Sequence, residues 1–178
     1  MSVAIGTSPT IERVVAPTDE DVRGLTELLI DAVASGAGVS FMSDLTMDGA
    51  EAWWRKTFAT ATPRTVILVA RDERGIVGSV QVHPSWAPNQ PHRGDVAKLI
   101  VHTRARGRGI ARALMQAAEE CARAERLTLL LLDTCKGGAA ERLYQSLGWV
   151  RVGEVPEFAL NPDGSWCTTV FFFKTLAS

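Results

Sequence analysis

The chain has 178 residues, of which 46% are hydrophobic and 22% charged, a balance that fits one globular domain with its own core. Lys and Arg number 19 against 20 Asp and Glu, for a formal net charge of -1, which does not favour a nucleic-acid binder. The one basic cluster, Arg104, Arg106 and Arg108, is interleaved with glycine and too short to line a nucleic-acid groove.

Cys121, Cys135 and Cys167 are odd in number and contain no CxxC, so the sequence predicts neither a disulfide framework nor a zinc site. A reducing, cytoplasmic compartment is the matching expectation. Residues 1–10 are small and polar and read as a loose N-terminus, with no basic-then-apolar pattern of a signal peptide. The apolar stretch from Leu127 to Leu132 is far short of a membrane span, and no membrane partner is expected.

In chain order, "IERVVA" reads as a first strand. Thr18 then caps a helix, with Asp21 three residues on as a relative of the capping box. Val22, Leu25, Leu28, Leu29, Ala32 and Val33 recur on one face of that helix, and Gly36 and Gly38 end it. "TMDGAEAWWRKTFATA" predicts a second helix anchored by Trp53, Trp54 and Phe58. "TVILVARDERGIVGSVQVH" predicts two strands joined at "DERG". Three prolines mark Pro84 to Gly94 as a loop, and "DVAKLIVH" is the next strand. A third helix starts near Gly107 and buries Ile110, Leu114, Ala117, Ala118 and Cys121. "LTLLLLD" is nearly continuous in apolar residues, as in a strand covered on both faces. A fourth helix carries Ala140, Leu143, Tyr144 and Leu147, and two strands, "WVRVGEV" and "CTTVFFF", close the chain. The order defines one mixed α/β domain over 11–178, with about seven strands and four helices.

The most informative segment is "LIVHTRARGRGIARALM", a strand that runs through arginines and glycines into a helix. Gly107 and Gly109 let backbone approach a ligand closely. The helix start offers unpaired N–H groups to an anion. The segment lacks the Lys-Ser/Thr ending of a Walker A loop, and Gly107, Gly109 and Ala111 give GxGxA rather than GxGxxG. A phosphate-bearing cofactor is the physical expectation. A plain strand-to-helix turn with solvent arginines is the alternative.

Arg104-x-x-Gly107-x-Gly109 resembles the pyrophosphate signature of the GNAT acetyltransferases, and "AERLYQSLGWVRVG" resembles the family's second signature. The matching element order extends the resemblance over nearly the whole chain. It implies a GNAT-like mixed sheet in which the strands Val96–Val101 and Leu127–Leu132 splay apart around acetyl-CoA. Backbone of Leu99, Ile100 and Val101 would meet the pantetheine arm. Arg104, Arg106, Gly107, Arg108 and Gly109, with Ile110 and Ala111 opening the helix, would hold the pyrophosphate. "SGAGVSFMSDLTM", "LLDTCKGG" and "FFFKTL" resemble a toxin-resistance branch of the family, whose acceptor is a small β-lactam-containing amino acid. A small-molecule amine, and a role in toxin or antibiotic detoxification, are the implied partner and purpose.

Transfer from a thioester to an amine requires a base for the amine, donors for the oxyanion and a proton for the thiolate. The resemblance gives Asp95 and Asp133, at the ends of the splayed strands, the basic roles. It gives Tyr144, the only tyrosine, the role of acid, and the N–H of Ile100 or Val101 the oxyanion. As structural residues, Asp133 would cap the turn after its strand, Asp95 would face solvent and Tyr144 would pack on Leu143 and Leu147. Phe41, Asp44, Trp86 and Phe158 are the acceptor-side candidates. Cys135 as an acyl carrier lacks an evident histidine partner. His83 and His102 read as structural or surface groups. No metal ligand spacing is present. Monomer and homodimer both remain open, as do a peptide or protein N-terminal acetyltransferase and a non-catalytic CoA-binding module.

Overall fold

The computed structural model describes residues 9–177. The elements are β1 (Thr10–Arg13), α1 (Asp19–Ala34), α2 (Met47–Ala59), β2 (Val66–Asp72), β3 (Gly75–Pro84), β4 (Arg93–Val101), a 3-10 turn (Thr103–Ala105), α3 (Ile110–Ala124), β5 (Leu129–Cys135), α4 (Ala139–Ser146), β6 (Val150–Leu160) and β7 (Trp166–Thr175). They follow the expected order. Residues 1–8 of the expected loose segment lie outside the described residues, and Thr10 already belongs to β1. β1 stops at Arg13 rather than running to Ala16, and Val15 is exposed.

One seven-stranded sheet has the order β1-β2-β3-β4-β5-β7-β6. Only β4 and β5 are parallel neighbours; every other pair is antiparallel. A core lies on each face. On one, Leu114, Met115 and Ala118 of α3 and Tyr144 of α4 pack on Leu68, Val80, Leu130 and Phe172. On the other, Leu25, Leu28 and Leu29 of α1 and Trp54 of α2 pack on Ile67, Val69 and Ile100. Burying each apolar stripe against the sheet is the dominant favourable term for such a layered domain.

Local signals explain the boundaries. Thr18 and Asp21 form a complete capping box: the Thr18 hydroxyl accepts from the Asp21 N–H at 3.1 Å, and the Asp21 carboxylate accepts from the Thr18 N–H at 2.8 Å. Thr46 caps α2 through the Gly49 N–H. Lys174 of β7 donates to both Glu119 oxygens on α3 and to the Leu147 carbonyl, and the Trp149 indole donates to the same carboxylate. This buried network ties the end of α4 to α3 and β7 and so fixes the helix that carries Tyr144.

β5 differs from its expected burial. Leu130 and Leu132 are buried, whereas Leu129 and Leu131 are half-buried. The reason is that the α1–α2 layer packs on β2, β3 and β4, leaving the β5 side of that face uncovered by helix. Apolar residues on both parities of a strand do not show which helices exist to cover them.

Candidate active site

β4 and β5 pair over three residues only, Arg93–Asp95 with Leu129–Leu131. Beyond Asp95 the strands diverge. A cleft of about 710 Å³ opens between them and runs to the arginine-glycine loop and the start of α4. Leu99, Ile100 and Val101 line one wall, and Asp133, Thr134 and Cys135 the other.

β4 carries a bulge. Ser79 opposes Ile100, yet Gln81 opposes Ala97, so β4 has one residue more than β3 across this gap. Lys98 occupies the bulge at φ 53, and its carbonyl accepts from the Ser79 hydroxyl at 3.1 Å. Lys98 lines the cleft, and its Nζ lies 5.7 Å from the Phe41 ring centroid and 5.4 Å from that of Trp53.

At the loop, Gly107 and Gly109 have φ of 76 and 75, and no heavy atom stands within 4 Å of where a Cβ would be. Gly109 is the N-cap of α3 and supplies no side-chain cap, so the first N–H groups of that helix stay open. Arg106 and Arg112 line the cleft. Arg106 donates to the Val101 carbonyl and Ser35 hydroxyl, and Arg112 to the Ser146 hydroxyl.

Two expected phosphate contacts turn elsewhere. Arg104 clasps Asp72 of β2 with two hydrogen bonds, at 2.8 and 3.2 Å, and Arg108 stands 3.6 Å from the same carboxylate. Neither lines the cleft. The Arg104 hydrogen bonds hold the Asp72 carboxyl below its usual range. The loop is pinned on its other side by Asp31 of α1, which accepts from the Thr103 N–H and hydroxyl. The Arg-x-x-Gly-x-small spacing occurs twice in this segment. The arginine that lines the cleft is that of the second copy, Arg106-x-x-Gly109-x-Ala111, and not Arg104, although Gly107 and Gly109 line it as well.

Asp133 and Tyr144 both line the cleft, near enough for the Asp133 charge to act on the phenol. Asp133 is exposed to the open cleft, yet desolvation by the surrounding walls raises its carboxyl above its ordinary range; the Lys98 charge opposes this and the Asp95 charge adds to it. Burial pushes the Tyr144 phenol well above an ordinary tyrosine, with a further push from Asp133. The Tyr144 ring packs on Trp149 and Phe172, and its hydroxyl makes no hydrogen bond among the described residues. Asp95 lies on the last paired rung, opposite Leu131, and accepts from Arg93 at 3.0 Å; it stands outside the cleft proper. His83 opposes Asp95 across β3 and β4, and its ring bonds to Gln81 at 2.7 Å. Burial, and then the Lys98 charge, lower His83, with Asp95 opposing them.

The acceptor-side candidates divide. Phe41 stacks edge-on with Trp53 at 5.4 Å beside Lys98. Phe158 meets Phe171 edge-on at 5.2 Å, and Phe171 is the ladder partner of Asp133. Trp86 is 92% exposed and Asp44 is exposed, and none of the four candidates is among the residues that line the cleft.

The sequence reading missed Lys98 and Arg112 as cleft residues, and Trp53 as the ring beside Lys98. Arg112 lies in the first turn of α3, so the helix-start argument could have reached it. Lys98 had no signal, because a bulge is not marked by a glycine here. Cys135 and Cys167 form a disulfide, with Cα atoms 5.9 Å apart, contrary to the expectation of free thiols. Cys135 pairs with Thr169, so Cys167 is a near neighbour across the β5–β7 ladder, although 32 residues away in sequence. No cluster of three metal-ligating side chains occurs among the described residues. No helix among them is long and apolar enough to cross a membrane.

Comparison with known proteins adds four findings. Residues 63–151 match the model of the acetyltransferase (GNAT) domain. The chain is 28% identical over 153 residues to an L-methionine sulfoximine/L-methionine sulfone acetyltransferase of Pseudomonas aeruginosa, covering 85% of this chain and 87% of that one. It is 30% identical over 129 residues to an N-acetyltransferase encoded in the hisH-hisA intergenic region of Azospirillum brasilense, covering 71% and 76%. Among solved structures, a phosphinothricin acetyltransferase from Sinorhizobium meliloti in complex with AcCoA superposes with a TM-score of 0.81 at 20% identity, covering 96% of this chain and 90% of that one.

Proposed function

From the premise that this chain belongs to the GNAT acetyltransferase family, we propose that it moves acetyl from acetyl-CoA directly to the amine of a small, amino-acid-like molecule. The observation that carries the reading is the convergence of a raised carboxylate, Asp133, and a protonated phenol, Tyr144, in one cleft.

The residues present suit the cosubstrate. The open positive-φ glycines and uncapped α3 start accommodate a pyrophosphate, with Arg106 and Arg112 as its cations. The β4 edge beyond Asp95 no longer pairs with β5, which leaves main-chain groups near Leu99–Val101 for an amide-bearing arm. Acetyl-CoA supplies the activated acyl group.

The chain's own residues then divide the proton work. Asp133 takes a proton from the acceptor ammonium, and its raised pKa makes it a stronger base than an ordinary aspartate. Asp95 favours this through its charge. As the N–C bond forms and the C–S bond breaks, the Ile100 or Val101 N–H meets the carbonyl oxygen and Tyr144 gives its proton to sulfur; the second nitrogen proton leaves as the amide forms, and a proton from solvent restores the phenol. The Cys135 sulfur is bonded to Cys167, which supports direct transfer over an acyl-cysteine route.

The relatives act on methionine sulfoximine, methionine sulfone or phosphinothricin. This favours an amino-acid-like acceptor here. N-acetylation removes the ammonium charge by which an amino-acid mimic is recognised, which is the chemistry of detoxification. The test is thiol release from acetyl-CoA against a panel of amino acids, imino acids, polyamines, aminoglycosides and peptides. Turnover on amino-acid analogues is expected. Turnover on peptides alone would overturn the reading.

A further inference from the structure

We propose that Lys98 is the specificity-determining contact of the acceptor site: its ammonium receives the carboxylate of an α-amino acid and selects such acceptors over simple amines and polyamines. The inference deepens the proposed function and rests on it.

Three observations carry it. The first is placement. Lys98 is the extra residue of the β4 bulge, held there by the Ser79 hydroxyl on its carbonyl. Its side chain lines the same cleft as Asp133 and Tyr144. The second is what surrounds the ammonium. Phe41 and Trp53 present ring faces to it, a contact that attracts an ammonium and fixes its direction. Its one hydrogen bond goes to the Ser40 hydroxyl at 3.2 Å. An ammonium has three donors, so two remain for a ligand. Lys98 forms no ion pair with a carboxylate among the described residues.

The third is the distribution of the other cations. Arg93 is engaged with Asp95 and Gln90, Arg104 with Asp72, and Arg106 and Arg112 stand at the loop and helix starts. At the acceptor end, Lys98 is the cation that lines the cleft near Asp133. An α-amino acid carries its carboxylate one carbon from its amine. If the amine meets Asp133, the carboxylate falls within a few bonds of it, where Lys98 supplies the opposite charge. A polyamine in the same pose would bring a second cation toward Lys98 and be repelled. Burial lowers the Lys98 pKa and Asp133 raises it. A bound carboxylate acts in the same direction as Asp133 and consolidates the charged form.

The experiment compares L-methionine sulfone with its primary amide, which differ at the carboxylate alone. Both are measured as acceptors by thiol release, and as ligands by calorimetry in the presence of CoA. Wild type should favour the acid by about 10- to 100-fold in kcat/KM and in affinity, the range of a charge-assisted hydrogen bond. Lys98→Met should remove most of that preference, chiefly through the KM of the acid; any effect it has through Asp133 falls on acid and amide alike and cancels in their ratio. Lys98→Asn guards against misfolding, because asparagine tolerates the positive φ of the bulge; it should give the same loss. Lys98→Arg should retain part of the preference. An acid-over-amide ratio that survives in a folded Lys98→Asn variant overturns the proposal, as does a wild type that binds acid and amide equally. The parent reading fails separately, if no amine in the panel releases thiol. In that event a Lys98-dependent preference in calorimetry still upholds the carboxylate site, and failure of the acid to bind overturns it.

Discussion

Replacing Tyr144 by phenylalanine isolates one oxygen atom. The ring is 5% exposed and packs at 6.1 and 6.0 Å from Trp149 and Phe172, contacts that phenylalanine keeps. The hydroxyl has no hydrogen-bond partner among the described residues, so no protein group is orphaned by its loss. Stability in urea should therefore change by no more than about 0.5 kcal/mol, and CoA affinity by calorimetry should hold. Turnover should fall roughly 10- to 100-fold, about 1.4–2.7 kcal/mol of barrier. That is the lower end of general-acid effects, because a thiolate of pKa near 8.5, roughly, leaves tolerably without help. The phenol lies above the ordinary tyrosine pKa through burial. An alkaline limb in kcat below about pH 10 then belongs to another group and should persist in the variant. Unchanged kcat would remove Tyr144 from the chemistry. Parallel loss of stability and kcat would make it a packing residue.

Asp133→Asn should lower kcat/KM more at low pH than at high pH, where more acceptor is already neutral; a uniform loss across the pH–rate profile would make Asp133 an orienting group only. Because the folded state raises its pKa, ionising Asp133 costs stability as pH rises above about 3.9; the variant should therefore unfold at slightly higher temperature than wild type at pH 7, and equal or lower Tm would contradict the raised pKa. Arg112→Ala should weaken acetyl-CoA binding about 5- to 50-fold with a reduced salt dependence, measured by calorimetry, and unchanged affinity would place the pyrophosphate elsewhere. Cys135→Ser should keep most of its turnover, and an acetyl group trapped on Cys135 and seen by mass spectrometry would refute direct transfer.

The element order was legible because each helix announces itself by an apolar stripe, and α1 by a cap as well. Thr18, Asp21 and the Val22-to-Val33 stripe are the clearest case. The cleft was legible from the arginine-glycine loop, but its register was not. Arg104 and Arg106 are alternatives in sequence, and only the position of Asp72, 32 residues earlier, decides which one is drawn off. Trp86 looked like a pocket wall because an aromatic residue in a long loop has no periodicity to place it. The disulfide was illegible because odd cysteine counts carry no pairing information, whereas the β5–β7 ladder does.

The bulge at Lys98 accounts for two features that otherwise look independent. Before it, Val96 joins the α3-side core while Asp95 lies on the opposite face. Strict alternation would then put Ile100 on the α3 side and Leu99 against α1. The reverse is observed: Ile100 is in the α1-side core, and Leu99 and Val101 pack toward α3. The extra residue is thus absorbed between Ala97 and Ile100, where β4 shifts register on β3. A bulge bends its strand and increases the local twist, which is the movement needed for β4 to leave β5 after Asp95. The same inserted residue has no partner in the ladder, and its long side chain reaches along the cleft to Phe41 and Trp53 on the α1–α2 side. One insertion therefore both opens the cleft for a cosubstrate and supplies the cation at its acceptor end. This is why a lysine, and not a glycine, at φ 53 is a coherent choice despite its backbone cost of order 1–3 kcal/mol.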